Sequence, residues 1–309
     1  MKIGIGIGDL TGHPADMAEL AKQAQQAEAA GFQSAWLANI FGADALTAAT
    51  VCGLATERIE LGTAIVPSYP RHPYAMAQQA LSVNAATGNR LTLGIGLSHQ
   101  IVIENMFGLS YAKSYSHMKE YLAVLAPLIR KGRVEFSGEL FKVNASLRVP
   151  GAKPCPILIA ALAPKMLALA GSVADGTITW MTGPKTLAEH TIPTIVAAAV
   201  AAERPAPRVV AGLPIAVTSD PQAAREAAAR HFRAYGMLPS YRAMLDREGA
   251  AGPADVAIVG DEASVGAQLD RLAEAGVTDL LAAPFAVSKG DDSLERTWQL
   301  LSQCASRAS

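Results

Sequence analysis

The 309-residue sequence predicts a single (β/α)8 (TIM) barrel, on three observations. Short β-branched runs alternate with long Ala-, Leu- and Glu-rich stretches, the rhythm of parallel strands joined by right-handed helical crossovers. Eight such runs occur, the number that closes a barrel filled by its own side chains. The competing open, doubly wound sheet lacks its usual first-strand signal. After Gly4, Gly6 and Gly8 comes Asp-Leu-Thr-Gly-His-Pro, not G-x-G-x-x-G entering a helix.

The elements follow in order. Ile3–Gly8 reads as a strand with bare positions on one side, where another group can approach the backbone. Ala15–Ala30 carries Met17, Leu20, Ala24 and Ala27 on one helical stripe, and Gly31 ends it as a C′ glycine. Ser34–Ala38 is the second strand, Asp44–Thr56 the second helix and Ile59–Val66 the third strand. Pro73–Ala86 is a helix with proline at its first position, followed by the fourth strand, Leu91–Leu97. The remaining strands are Pro156–Ala160, Thr177–Trp180, Val209–Val217 and Thr278–Ala282.

Two connections are too long for a plain strand–helix unit and read as insertions that act as lids or binding loops. One, about 98–155, follows strand four. It holds a helix at Ser116–Arg130 and a hairpin-like pair, Arg133–Phe136 and Leu140–Val143, turned at Ser137-Gly138. The other, about 218–277, follows strand seven. It holds helix Pro221–Tyr235, a short helical stretch near Tyr241–Glu248 and helix Glu262–Ala275. Asp292–Ala305 is an amphipathic helix.

The 26 Lys and Arg against 27 Asp and Glu argue against a nucleic-acid partner, which needs a basic face to displace counterions. Half the residues are hydrophobic, enough for a packed core and too many for global disorder. Cys52, Cys155 and Cys304 form no C-x-x-C pair and read as reduced thiols of a cytoplasmic protein. No apolar run is long enough to span a membrane, and Ile3–Gly8 is too short for a signal-peptide core.

Barrel active sites lie at the carboxyl ends of the strands. The residues there are Asp9 and His13, Asn39 and Phe41, Thr63 to Pro67, Gly96 to His99, Ala161 to Lys165, and Trp180 to Thr182. Asp9 is the one carboxylate immediately after a strand, so the facing carboxylates of a glycosidase are missing. Asp9, His13 and His99 lack metal-ligand spacing, so no metal is expected. There is no G-x-S-x-G elbow. A site without its own acid–base equipment points to a cofactor that carries the reaction.

Two features support that. Leu93-Gly-Ile-Gly-Leu-Ser-His99 puts two glycines at a strand end, where a flat ring or phosphate can reach the main chain. The same glycines can instead relieve crowding inside the barrel. Ala160-Ala-Leu-Ala-Pro164-Lys-Met starts a helix whose free N–H groups, with Lys165 in the first turn, can hold an anion. His99 follows its strand and reads as functional. His72 reads as a structural residue at a helix start, and His117, His190 and His231 as surface positions on helices. Trp36 reads as core; Trp180 either walls a ring pocket or packs.

The ordered series Gly31-Phe-Gln-Ser-Ala-Trp36, Leu61-Gly-Thr-Ala-Ile-Val-Pro67, Arg71-His-Pro73, Gly88-Asn-Arg90, Leu93-Gly-Ile-Gly96, Pro156-Ile-Leu-Ile-Ala-Ala161, Ala174-Asp-Gly176 and Leu272-Ala-Glu-Ala-Gly-Val277 carries a resemblance. It resembles the luciferase-like family of flavin and deazaflavin oxidoreductases, and within it the actinobacterial members that use coenzyme F420 (8-hydroxy-5-deazaflavin). The resemblance implies a homodimeric barrel with the cofactor at the strand ends. It places a non-prolyl cis peptide at Ala64–Ile65, beside Thr63. It places further cofactor contacts at Asn39, at Gly96, Leu97, Ser98 and His99, and at a phosphate-binding turn of Ala161, Leu162, Ala163, Pro164 and Lys165, with Trp180 nearby.

The implied reaction is hydride transfer between the deazaflavin C5 and a small organic substrate, with an activated C=C or C=N bond as the expected acceptor. His99 and His13 are the candidates for the accompanying proton, and Met106, Phe107, Trp180 and the second insertion would shape an apolar pocket. Three departures stand out. Asn39-Ile40 replaces the Asp-His that relatives often carry, and Leu162-Ala163 replaces a Gly-Gly. His13 and His99 stand where the sugar-phosphate dehydrogenase branch has Glu, which argues against glucose-6-phosphate oxidation. The alternatives are an FMN-dependent monooxygenase of the same family and a deazaflavin-binding protein without turnover.

Overall fold

The computed structural model describes residues 1–11 and 15–307. Its barrel strands are Lys2–Ile7 (β1), Ser34–Leu37 (β2), Glu60–Thr63 (β3), Leu91–Gly96 (β4), Ile157–Ala160 (β5), Gly176–Trp180 (β6), Arg208–Val217 (β7) and Asp279–Pro284 (β8). Each runs parallel to its neighbours, and β8 pairs back onto β1 from Lys2↔Asp279 to Ile5↔Ala282, so the barrel closes as the sequence predicts. Helices Met17–Ala29 (α1), Ala45–Leu54 (α2), Pro73–Ala86 (α3), Ser114–Lys131 (α4), Pro164–Val173 (α5) and Ile192–Ala201 (α6) belong to the first two-thirds of the chain. Pro221–His231 (α7), Pro239–Glu248 (α8), Glu262–Glu274 (α9) and Ser293–Arg307 (α10) are the longer helices that follow. Asp16, Asp44 and Asp261 cap α1, α2 and α9 by accepting a backbone N–H from the first turn.

Two sequence readings need correction. The hairpin pairs Arg133–Ser137 with Lys142–Ser146, so the second arm starts later than the Leu140–Val143 reading. The reason lies elsewhere in the fold: the Glu120 carboxylate on α4 accepts the backbone N–H groups of Glu139, Leu140 and Phe141 and holds them in the turn. A further short strand, Ile258–Gly260, pairs in parallel with the end of β7 from Ile215↔Ile258 to Val217↔Gly260. Three residues are too few to show a period.

The bare positions of β1 serve the barrel interior. A Cβ on Gly4 would lie 2.2 Å from Ser34 Oγ and 2.7 Å from Trp36 Nε1, and one on Gly62 would lie 2.2 Å from the Trp36 ring. Trp36 therefore fills the lumen, fully buried with Leu158, Ile178, Val210 and Leu281, and donates its indole N–H to Ser34 Oγ at 2.9 Å. At the amino-terminal end a charged cluster plugs the barrel. Arg208 donates to Glu60 (2.9 Å), Thr92 (3.2 Å) and Asp279 (2.6 Å), tying β7 to β3, β4 and β8.

At the other end the chain leaves β3 through a cis peptide at Ala64–Ile65, and Val66–Pro67 then rejoins β4 (Val66↔Ile95). The two glycines of β4 make room for this bulge. A Cβ on Gly94 would lie 2.0 Å from the Thr63 carbonyl oxygen, and one on Gly96 would lie 2.8 Å from Ile65 Cδ1. The reading of Gly94 and Gly96 as main chain bared to a ligand is thus corrected to the crowding one: the bulge, not a cofactor, occupies their missing side chains. Thr63 is likewise turned to β4, donating to the Gly94 carbonyl and accepting the Gly94 N–H, both at 2.8 Å. Gly94→Ala is expected to destabilise the fold by about 1–3 kcal/mol, because backbone must yield; urea denaturation reads it.

The histidine readings are also revised. His117 and His190 are 9% and 8% exposed rather than surface residues, whereas His231 is exposed as expected. His117 accepts or donates a hydrogen bond with Ser68 Oγ at 3.1 Å and stacks on Tyr69 with ring centroids 3.9 Å apart. Helical spacing alone did not reveal this, because the burying partners come from the loop after Val66–Pro67. His72 caps α3 through the Tyr74 N–H, as its position implied.

Candidate active site

A cavity of about 910 Å³ opens at the carboxyl ends of the strands. Asn39, Ala64, Ile65, Leu97, Ser98 and His99 reach it from β2 to β4, and Ala161, Leu162, Ala163, Lys165 and Trp180 from β5 and β6. Three other predicted contacts, Thr63, Gly96 and Pro164, do not line it. Thr63 and Gly96 face the bulge, and Pro164 is the first residue of α5. His13 lies outside the described residues. The Asp9 carboxylate stays outside the cavity, against Gly42, where a Cβ would come within 2.8 Å of it.

The electrostatics of the lining are one-sided. Among the described residues no Asp or Glu lines the cavity, while Arg71 and Lys165 do. Arg71 pairs with the Asp44 carboxylate through Nη2 and keeps a buried Nη1 without a partner among the described residues. Lys165 sits in the first turn of α5, whose N-terminus no side chain caps. The preceding turn is fixed from behind, where buried His190 Nε2 donates to the Leu162 carbonyl at 2.9 Å. Asn39 spends its carbonyl on the Ala45 N–H (3.1 Å), steadying the chain into α2.

His99 follows Ser98, which adopts a left-handed φ of 60° and whose carbonyl accepts the Tyr111 hydroxyl at 3.2 Å. Burial holds the His99 imidazole below its ordinary pKa, so it is neutral near pH 7. Opposite it stands a run of rings. Trp180 meets Phe232 at 6.1 Å and Tyr235 at 6.0 Å; Tyr235 meets Tyr241 at 5.4 Å; Tyr241 meets His99 at 5.6 Å. Burial raises the pKa of both Tyr235 and Tyr241, keeping the phenols protonated.

Sequence reasoning missed Arg71, Tyr111, Tyr115, Tyr235 and Tyr241 as individual lining residues. Arg71 was visible only as part of a motif. The tyrosines sit in the two long insertions, whose length was the available signal; Tyr235 and Tyr241 come from the one expected to shape the pocket.

The family model for luciferase-like monooxygenases matches residues 2–279. The chain is 29% identical over 286 residues to the 5,10-methylenetetrahydromethanopterin reductase of Methanolobus tindarius, covering 92% of this chain and 86% of that one. It is 29% identical over 288 residues to the F420-dependent glucose-6-phosphate dehydrogenase of Beutenbergia cavernae, covering 88% and 80%. Among solved structures, the coenzyme F420 dependent tetrahydromethanopterin reductase from Methanopyrus kandleri superposes with a TM-score of 0.80 at 21% identity, over 98% of this chain and 97% of that one, a shared fold. With the match running from β1 into β8 and the barrel closing as that fold requires, the chain belongs to the luciferase-like monooxygenase family.

Proposed function

We propose that the protein is a coenzyme F420-dependent oxidoreductase that transfers hydride between the deazaflavin and a small organic substrate bearing an activated C=C or C=N bond. The observation that carries this reading is a large, mostly apolar cavity with two cations and no carboxylate among its described lining residues. Such a lining fits a flat ligand with an anionic tail. The Beutenbergia and Methanopyrus relatives, both named as F420-dependent, support the choice of cofactor over FMN. When bound, the deazaflavin supplies the carbon that gives or takes the hydride.

The residues of the chain do the rest. Lys165 and the uncapped N-terminus of α5 hold the phosphate, as helix N-termini do for anions. Ala64 and Ile65 support the ring from the bulge, and Leu97 and Ser98 bound it from β4. His99, neutral and lining the cavity, passes the accompanying proton between solvent and substrate through a ring nitrogen. The aromatic run from Trp180 to Tyr241 keeps water from the reacting atoms. A homodimer is part of the same reading.

Titration of the apoprotein with each cofactor tests it. F420 is expected to bind tightly and FMN weakly, and Lys165→Ala to weaken F420 binding about tenfold through the lost charge-assisted contact. Tight FMN binding without F420 binding would reverse the assignment.

A further inference from the structure

The aromatic run deepens the reading above, on which it rests, because it states what kind of acceptor the cavity takes. Trp180 reaches it from the end of β6, Phe232, Tyr235 and Tyr241 from the second insertion, and His99 from the end of β4. The contacts from Trp180 to Tyr235 to Tyr241 to His99 are continuous, at 6.0, 5.4 and 5.6 Å between centroids. Such a wall favours a flat π-system by stacking and edge contacts. The lining also lacks what other substrates require. With no Asp or Glu among its described residues, no carboxylate is present to bind the hydroxyls of a sugar bidentately or to neutralise a cationic substrate.

The wall offers hydrogen-bond donors to a ligand. The Tyr235 and Tyr241 hydroxyls line the cavity and make no hydrogen bond with an acceptor among the described residues, and the buried Trp180 Nε1 also lacks one. Trp180 Nε1, the buried one of the three, is satisfied only when an acceptor arrives, and the two hydroxyls face the cavity free to donate. A ligand that stacks on this wall and satisfies it therefore carries an acceptor oxygen on a flat frame.

We propose that the substrate is a flat, conjugated carbonyl compound of the α,β-unsaturated ketone class, with its ring on the Trp180–Tyr235 wall and its carbonyl oxygen accepting a hydrogen bond from the Tyr241 hydroxyl. The step balances. Hydride adds to the β-carbon, and the C=C electron pair shifts through the α-carbon onto the carbonyl oxygen, where the Tyr241 hydrogen bond stabilises the enolate. One proton from water then bonds to the α-carbon. The ketone gains two electrons and two hydrogens, and the reduced cofactor loses the hydride and becomes oxidised. Tyr241, kept protonated by its burial, is available as a donor across the physiological range.

The test is calorimetric titration of protein saturated with oxidised F420, using benzylideneacetone and its carbonyl-free counterpart, trans-β-methylstyrene. Wild type is expected to prefer the ketone, Tyr241→Phe to lose about five- to tenfold in ketone affinity and nothing for the hydrocarbon, and Trp180→Leu to weaken both. Circular dichroism of the variants checks that they are folded. Failure of the ketone to bind F420-loaded protein, or equal losses for the two probes in Tyr241→Phe, overturns the inference while leaving the cofactor reading intact. Failure of F420 itself to bind overturns that reading first, in a separate arm of the same titration.

Discussion

Replacing Arg208 with methionine is expected to lower the unfolding free energy by about 3–5 kcal/mol, the cost of stranding a buried charge without its partner. Arg208 is the single cation between two carboxylates, 2.6 Å from Asp279 and 2.9 Å from Glu60. The Asp279 side chain is only 3% exposed, so water cannot replace the guanidinium. Thr278 Oγ1 donates to Asp279 at 2.6 Å and Thr92 Oγ1 to Glu60 at 2.7 Å, but neither carries charge. The triple variant Arg208→Met, Glu60→Gln, Asp279→Asn is expected to recover much of the loss, because it removes the stranded charges together with the cation. Urea denaturation at pH 7 reads both. A single variant within about 1 kcal/mol of wild type would mean that the cluster is solvated and not a barrel plug.

The second large effect is a loss of stability in acid. Burial lowers the His117 pKa from its ordinary 6.5 to about 4, with Glu120 on the same helix pulling more weakly the other way. The neutral imidazole is therefore the form the folded chain prefers. Above about pH 6.5 both folded and unfolded chains hold it neutral, and the full contribution is present. As pH falls below 6.5 the unfolded chain takes up a proton that the folded chain refuses, and stability declines until the folded histidine also protonates near 4. The shift sets an upper bound of about 3–4 kcal/mol on the loss, at about 1.36 kcal/mol per pH unit. His117→Phe keeps a ring against Tyr69 and is expected to flatten that part of the pH profile. A wild-type stability unchanged between pH 6.5 and 4.5 would show that His117 is not held neutral by the fold.

Both effects bear on the cavity, though neither residue lines it. Ser68, the hydrogen-bond partner of His117, directly follows Pro67, which lines the cavity, so the buried histidine braces the wall behind the bulge. Arg208 clamps the opposite end of the same strands. Its cluster joins β7 to β3, β4 and β8, and β3 and β4 are the strands whose far ends carry Ala64, Ile65, Leu97 and Ser98.

The sequence by itself determined the barrel. Alternating apolar runs and helical stripes state each element locally, since strand and helix periods depend on a few residues at a time. Eight parallel strands joined by crossovers then have few ways to close. The strand-end rule likewise brought Asn39, Ala64, Ile65, Leu97, Ser98, His99, Ala161, Leu162, Ala163 and Lys165 to one end of the barrel, and the structure places them around one cavity. What only the tertiary structure decided are matters of which side a residue faces and what arrives from far along the chain. Gly94 and Gly96 read equally well as open main chain or as relief of crowding, and the Thr63 carbonyl and Ile65 side chain settled it for crowding. His117 and His190 carry no local mark of burial, because their partners Ser68 and Leu162 lie 49 and 28 residues away. Tyr235 and Tyr241 meet Trp180 and His99 only after a long insertion folds back over the strand ends, a contact written in no local period of the sequence.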